Sequence, residues 1–221
     1  MSATRHLAAF AVAFALVSAS GSTALAQKNY DTGATDTEIK IGNIMPYSGA
    51  ASAYGVIGKT EDAYFRKINA EGGINGRKIT FISYDDAYTP PKTVEQARKL
   101  VESDEIDVLF APLGAPTNAA IMKYMNQKKV PHLFIASGAT KFGDYKNFPY
   151  TMGFQPCYQI EGRAFAQHVL STQTDPKIGI VYQNDDFGRG SGRVIWSQGA
   201  HPGKGAGRLA RPRYAAFRGS S

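Results

Sequence analysis

The sequence of 221 residues is poor in the residues from which many enzyme sites are built. It has one cysteine, Cys157, which excludes an internal disulfide framework. Its four histidines share no metal-ligand spacing. The GxGxxG and Walker-type GxxxxGK fingerprints of nucleotide sites do not occur, nor does the GxSxG elbow of hydrolases. Because these patterns are missing, we predict that the chain is not an enzyme and has no cofactor and no metal site.

Acidic residues are absent from the end of the chain. No Asp or Glu follows Asp186, whereas seven basic residues do: Arg189, Arg193, Lys204, Arg208, Arg211, Arg213 and Arg218. The other basic residues balance the 18 acidic ones, so the formal net charge of +7 comes entirely from this tail. Residues 189–221 are rich in Gly, Arg, Ala and Pro and lack hydrophobic periodicity, so we predict a disordered basic tail. A neutral body gives no reason to expect a nucleic-acid partner.

No apolar run is long enough to span a bilayer. The first such run, Leu7 to Val17, follows Arg5 and His6 and precedes Ala24-Leu25-Ala26. A secretory signal typically has a basic start, a short apolar run and small residues before its cleavage site. We therefore predict a signal peptide over residues 1–26, cleavage after Ala26 and an exported mature chain. A membrane anchor is the alternative interpretation.

What the sequence does have is a regular alternation of strand and helix patterns from residue 38 to 182. This alternation predicts an α/β fold, a doubly wound parallel sheet with helices on both faces. The predicted strands are Ile39–Met45, Lys78–Tyr84, Val108–Ala111, Val130–Ala136 and Lys177–Tyr182. Apolar stripes at helical spacing are Ile57, Tyr64, Phe65 and Ile68 in the first helix and Val94, Ala97, Leu100 and Val101 in the second. Residues 147–156 carry two prolines and no clear period, so we predict a crossing between domains there.

Three loops follow the carboxyl ends of predicted strands, where wound sheets bind ligands. They span residues 46–54, 112–117 and 137–144 and are rich in Gly, Ala, Ser and Thr. Small residues expose backbone N–H groups, and a helix start favours a carboxylate. We predict that N–H groups near Gly114 and Ala115, with the hydroxyl and N–H of Thr140, hold an anionic group. The Gly138 carbonyl would accept from an ammonium and Tyr54 would close over the ligand; ordinary tight turns remain the alternative.

Several blocks of the sequence resemble one family. SGAASAYG, INAEGGINGRKI, YDDAYTPPKTVEQARKLV, FAPLGAPTNAA, IASGATKFGD and YQNDDFGRG occur in order and together cover residues 38 to about 189. They resemble the leucine/isoleucine/valine-binding family of type I periplasmic binding proteins. The resemblance implies two α/β lobes, a small carboxylate ligand held in the cleft between them, and delivery to a membrane ABC permease.

By position, the resemblance implies a set of ligand-binding residues in this chain. The carboxylate-holding segments fall at Gly114 and Ala115 and at Gly138, Ala139 and Thr140, the aromatic lid at Tyr54, and a second-lobe cleft position at Phe187. The implied domains are the signal peptide, a ligand-binding lobe over residues 27–150, the start of a second lobe over 151–188 and the tail. The implied location is the periplasm.

The chain also departs from that family. Gly114 occupies the position at which amino-acid binders of the family commonly have a serine hydroxyl. The sequence LGAPTN around it resembles a subgroup whose ligands are aromatic or other organic acids. Most of the second lobe is missing after Phe187, and we interpret the residues after about 190 as the product of a frameshift or truncation.

Other functions stay open on the sequence alone. A sensor module reporting to a membrane receptor would use the same ligand lobe, and a truncated fragment would bind weakly or not at all. Asp85-Asp86 at a strand end is also compatible with a phosphoacceptor site, although paired acids there more often hydrogen-bond their own loop.

Overall fold

The computed structural model describes residues 29–174, 176 and 181–189, together with a short strand at 215–217. The predicted signal peptide and most of the predicted basic tail lie outside the described residues, so these parts stay predictions. The disorder predicted for the tail needs correction at Ala215–Phe217, because these residues form a strand. Two 3₁₀ turns, Ser52–Gly55 and Thr140–Gly143, lie in the loops after the first and fourth strands.

The chain alternates strands with helices as the sequence pattern indicates. The strands are β1 Glu38–Met45, β2 Lys78–Asp85, β3 Val108–Phe110, β4 His132–Ile135, β5 Thr151–Gly153, β6 Val181–Gln183 and β7 Ala215–Phe217. The helices are α1 Val56–Ala70, α2 Pro90–Glu102, α3 Ala115–Lys128 and α4 Tyr158–Thr172.

Five strands form one parallel sheet in the order β2-β1-β3-β4-β5. β1 pairs with β2 along its whole length, from Glu38 opposite Lys78 to Met45 opposite Asp85, so both strands end at the same edge. The chain first adds β2 on one side of β1 and then returns to add β3 on the other. The strand order therefore reverses between β1 and β3, which opens a crevice at their carboxyl ends.

One face of the sheet packs against α2 and α3 and forms the main core. Ile44 and Leu109 from the strands meet Leu100 of α2 and Ile121 and Met125 of α3, and all five are at most 1% exposed. Burying each such side chain contributes about 1.5–3 kcal/mol. The predicted stripe of α2 is confirmed, since Ala97 and Leu100 are buried and its two valines pack against the same cluster.

The opposite face carries α1 and a row of aromatic rings. Phe65 of α1 lies 5.2 Å from Phe81 of β2 and 5.8 Å from Phe110 of β3, measured between ring centroids. The row continues from Phe110 to Phe134 at 5.5 Å and from Phe134 to Phe154 at 5.9 Å. Phe110 follows the core residue Leu109, so the alternation of side chains along β3 places one on each face.

A polar network lies beneath α1 on this same face. The fully buried Asn43 amide donates to a Glu61 carboxylate oxygen at 3.1 Å and to the Phe110 carbonyl at 2.9 Å. The Ser83 hydroxyl donates to Asn43 Oδ1 at 2.6 Å and lies 2.5 Å from the Tyr47 hydroxyl. Burial raises the pKa of Glu61 to about 7. Glu61 is therefore protonated well above the pH at which an exposed carboxyl ionises.

One expectation about an individual side chain needs correction. Tyr64 is 58% exposed, so it lies on the flank of α1 and not on its buried face. Within the segment 147–156, Thr151–Gly153 forms strand β5 next to β4, and the crossing between domains stays a prediction. The described part of the predicted strand Lys177–Tyr182 belongs to β6, which pairs with β7 and not with the main sheet.

Candidate functional site

A cavity of about 910 Å³ opens at the carboxyl edge of the sheet, where the strand order reverses. Its floor comes from the ends of β3 and β4, through Leu113, Gly114 and Ala136. One wall comes from the loop after β1, and the other from α4 and the segment that follows β6. We call this cavity the cleft.

The loop between β3 and α3 brings backbone groups to the cleft. Gly114 has a φ of +108°, a conformation that side chains rarely adopt. A Cβ there would lie 2.5 Å from Thr117 Oγ1 and 2.6 Å from the Tyr88 ring, so only glycine fits. The Gly114 N–H donates to the Ala136 carbonyl at 3.3 Å, whereas the Ala115 N–H, at the start of α3, has no acceptor within the described residues. The free donor expected near Gly114 is therefore the Ala115 N–H.

Two buried side chains fix this loop from behind. The Asn118 amide donates to the Gly114 carbonyl at 2.7 Å and to the Pro112 carbonyl at 3.3 Å, and its Oδ1 lies 2.8 Å from His132 Nε2. Because Oδ1 is an acceptor, His132 carries its proton on Nε2. Burial lowers the pKa of His132 to about 3, so the ring is neutral. Within the described residues, His132 Nδ1 is buried without a partner.

The turn after β2 places an aromatic ring in the cleft. The Asp86 carboxylate, in a residue only 1% exposed, accepts from the Tyr88 N–H at 2.8 Å and from the Thr93 hydroxyl at 2.7 Å. This turn holds Ala87 and Tyr88 in the left-handed region, with φ of +49° and +59°. Burial raises the pKa of both the Asp86 carboxyl and the Tyr88 phenol above their ordinary values. Tyr88 is thus a neutral ring set against Gly114.

Asp85 ties two loops of the cleft edge together. Its carboxylate accepts from the Ser48 N–H at 3.0 Å, the Ser48 hydroxyl at 2.5 Å, the Ala87 N–H at 3.0 Å and the Lys92 ammonium at 3.0 Å. Burial acts to raise the pKa of Asp85, but these hydrogen bonds outweigh it and hold the pKa well below the ordinary value. Both carboxylates of the Asp85-Asp86 pair are therefore engaged with their own loops, which disfavours the phosphoacceptor interpretation.

The cleft wall is dominated by aromatic side chains: Tyr54, Tyr88, Tyr158, Tyr182 and Phe187. Tyr158 and Phe187 meet edge to face, with ring centroids 5.4 Å apart and planes at 79°. Glu161 is the single charged residue of the lining, and no lysine or arginine contributes to the lining formed by described residues.

The loop after β4 faces a different space. Gly138, Ala139 and Thr140 line a second cavity of about 390 Å³ with Cys157, and they do not line the cleft. The Gly138 carbonyl, expected to accept from an ammonium, instead accepts from the Tyr158 N–H at 2.8 Å. The Ala139 N–H donates to the Ser137 hydroxyl at 3.3 Å.

The structure thus brings together four of the predicted ligand residues and separates three from them. Tyr54, Gly114, Ala115 and Phe187 line the cleft, whereas Gly138, Ala139 and Thr140 line the second cavity. Sequence reasoning missed Tyr88, Tyr158 and Glu161. For Tyr88 a signal existed, since Asp86 precedes it at the spacing of a side-chain-to-backbone turn and Thr89-Pro90 follows.

The described residues were also searched for metal-binding clusters and for membrane-spanning helices. They contain no group of three or more His, Cys, Asp or Glu side chains that could hold a metal ion. Among them there is also no helix with the length and apolar character needed to cross a membrane.

Comparison with known proteins agrees with this fold. Residues 38–198 match the profile of the family described as "Periplasmic binding protein". The profile covers most of the chain, and the chain belongs to that family.

Within the family, its relatives are leucine/isoleucine/valine-type binding proteins. The chain is 26% identical over 165 residues to the leucine-specific-binding protein of Salmonella typhimurium, covering 74% of this chain and 44% of that one. Solved structures also share the fold, among them the following two. One is the fatty acid ABC transporter substrate-binding protein from Thermomonospora curvata, with a TM-score of 0.68, 22% identity and coverage of 77% and 43%. The other is a solute binding protein from Rhodopseudomonas palustris in complex with 3,4-dihydroxy benzoic acid, with a TM-score of 0.62, 20% identity and coverage of 73% and 43%.

The chain spans less than half the length of these relatives. The predicted boundary between the lobes at residue 150 stays a prediction, and β5 immediately after it pairs with β4.

Proposed function

We propose that this protein is a periplasmic solute-binding component of an ABC-type importer, and that it holds a small amino acid or organic acid by its carboxylate. The observation that carries the proposal is the N–H of Ala115, a residue that lines the cleft at the start of α3 and whose N–H has no protein acceptor among the described residues. Such a helix start attracts a negative charge.

The names of the similar proteins support the same ligand chemistry. Leucine, a fatty acid and 3,4-dihydroxy benzoic acid differ in size and polarity, yet each carries one carboxylate. Of the residues expected to hold it, we retain Gly114 and Ala115 with Tyr54 and Phe187 around the remainder of the ligand. Gly138, Ala139 and Thr140 would act indirectly, by shaping the loop between the two cavities.

The test compares acids with their amides. Purified chain is titrated by calorimetry and thermal melting with leucine, phenylalanine and 3,4-dihydroxybenzoate, and with the amide of each. We expect an acid to bind and its amide to bind at least tenfold more weakly, because the amide carries no negative charge. Equal binding of an acid and its amide, or binding of none of the acids at millimolar concentration, would overturn the proposal.

The role in import needs a separate measurement. Cells lacking the gene should lose uptake of the ligand identified above, and the intact gene should restore it. Unchanged uptake together with a changed transcriptional response to the ligand would favour the sensor alternative.

A further inference from the structure

The polar network beneath α1 contains an acid that no cation balances. Glu61 faces the sheet and accepts a hydrogen bond from the Asn43 amide of β1, which also donates to the Phe110 carbonyl of β3. No ion pair among the described residues involves Glu61. An ionised Glu61 would therefore be a charge beneath a helix without a partner of opposite sign, which is an unfavourable state.

The other ionisable groups near this network do not supply a positive charge. The loop after β1 contributes the Tyr47 phenol, on which the carboxyl groups of Glu61, Asp62 and Asp85 all act. Asp62 of α1 pairs with Arg66 on the outer side of the helix, and Asp85 of β2 is held by its own loop. The contributions of β1 and β3 to the network are uncharged. A proton is therefore what keeps the charge of Glu61 out of this place.

Tyr47 connects the network to the loop after β1. Its hydroxyl lies 2.5 Å from the Ser83 hydroxyl, which donates to Asn43 Oδ1 at 2.6 Å. Its ring packs closely against α1, because a Cβ at Gly58 would overlap the Tyr47 hydroxyl oxygen. The loop after β1 and the helix α1 thus rest on the same buried group.

The start of α1 forms part of the cleft wall. Ile57 lines the cleft and lies one turn before Glu61, so the two side chains share one face of the helix. Tyr54, in the 3₁₀ turn that leads into α1, also lines the cleft. Asp85 holds Ser48 at the beginning of this loop. A displacement of α1 would therefore carry Tyr54 and Ile57 away from the cleft and leave Ser48 in place.

We propose that Glu61 is a pH sensor for the cleft. When its carboxyl is protonated, α1 stays packed on the network and the wall formed by Tyr54 and Ile57 is in place; when the carboxyl ionises, α1 moves outward until water reaches it. This inference goes beyond the proposed function, because it concerns the cleft wall and does not depend on which ligand the cleft takes.

The direction of the response follows from burial, which raises the pKa of Glu61 to about 7 in the packed form. A carboxyl that water reaches has its ordinary pKa of 4.5. Protonation therefore favours the packed form fully below pH 4.5, and this advantage is lost as the pH rises to 7. The difference between the two pKa values corresponds to a change on the order of 300-fold in the ratio of packed to displaced α1.

The test measures the position of α1 by the distance between two nitroxide labels. Lys59→Cys on α1 and Glu95→Cys on α2 place the labels at exposed positions on opposite faces of the sheet, in a Cys157→Ser background. We expect the distance distribution to shift to longer separations between pH 5 and 7.5. A second pair, with Ala53→Cys in place of Lys59→Cys, reports the cleft wall and should shift with the first. An unchanged distribution for either pair would overturn the proposal.

Variants show whether Glu61 causes the shift. Glu61→Gln cannot ionise, so its distributions at pH 5 and 7.5 should coincide; Glu61→Met serves the same purpose if the glutamine variant does not fold. Asp62→Asn is the matched control, because it removes a partly exposed carboxyl from the next position of α1, and it should shift as the parent does. A full shift in Glu61→Gln, or the loss of the shift in Asp62→Asn, would show that Glu61 is not the sensor.

Discussion

His132 Nε2 lies 2.8 Å from Asn118 Oδ1, and both residues are fully buried behind the loop that carries Gly114. The Asn118 amide in turn donates to the Gly114 and Pro112 carbonyls. One amide side chain therefore connects the neutral imidazole of β4 to the backbone at the cleft, and the position of that loop depends on it.

Replacing Asn118 should test this connection. Asn118→Leu keeps the volume but leaves two carbonyls and the His132 N–H without partners, and we expect a loss of about 3 kcal/mol in the free energy of unfolding. Urea denaturation followed by circular dichroism measures it. Asn147→Leu, at an exposed position, should change that free energy by less than about 0.5 kcal/mol. Equal effects of the two substitutions would contradict the role given to Asn118.

His132 and Glu61 should act on stability with opposite signs as the pH changes. Between pH 3 and 6.5 a histidine in the unfolded chain is protonated, whereas His132 in the folded chain stays neutral. His132 therefore lowers the free energy of unfolding as the pH falls through this range. Between pH 4.5 and 7 folded Glu61 keeps a proton that the unfolded chain has lost, so its contribution is complete below pH 4.5 and is lost as the pH rises to 7.

Removing the Glu61 carboxyl should change how stability depends on pH. In Glu61→Gln, the free energy of unfolding relative to the natural chain should rise by on the order of 2 kcal/mol between pH 4.5 and 7. Chemical denaturation at a series of pH values measures it. Glu95→Gln should give a curve parallel to that of the natural chain, and a parallel curve for Glu61→Gln would show that Glu61 does not titrate as described.

Gly114 should not accept serine, the residue that the resemblance implies at this position in amino-acid binders. Its φ of +108° and the nearby Thr117 hydroxyl and Tyr88 ring leave no place for a Cβ. We expect Gly114→Ser to cost about 1–3 kcal/mol and to weaken ligand binding instead of adding a donor. Gly143→Ala, where a Cβ would meet nothing within 4 Å, should be close to neutral. Tighter ligand binding by Gly114→Ser would refute the prediction.

At Ala87 the reverse change, from a residue with a side chain to glycine, should stabilise the fold. It lies at φ +49°, where a non-glycine residue is strained, so Ala87→Gly should raise the free energy of unfolding by about 0.5–1 kcal/mol. Ala120→Gly, on the exposed side of α3, should instead lower it by about 1 kcal/mol. Thermal melting of both variants decides whether the strain at the turn is real, since a destabilised Ala87→Gly would show that it is not.

Much of the sheet could be predicted from the sequence, because its longer strands and α2 have regular patterns. β5 could not, since three residues between prolines give no alternation, and its place depends on pairing with β4. The apolar pattern of α1 places Tyr64 on the buried face, but the buried face runs through Glu61 and Phe65. A carboxyl on this face breaks the apolar pattern, and Asn43 hydrogen-bonds it.

The site was predictable to the level of its loops. Tyr54, Gly114 and Ala115 line the cleft because two of the three loops end at the reversal of strand order. The third loop has the same composition, but it turns after Ser137 and presents Gly138 and Thr140 to another cavity. The composition of a loop does not determine the direction in which its backbone turns. It also does not indicate that Tyr158 and Glu161 of α4 line the cleft.

The four hydrogen bonds of Asp85 join Ser48, the turn at Ala87 and the first turn of α2 to one another. If the entrance of the cleft narrows around a bound ligand, we expect the larger displacement on the side that carries Tyr158 and Phe187. A spin label on that side should report the motion, while one near Ser48 should stay silent.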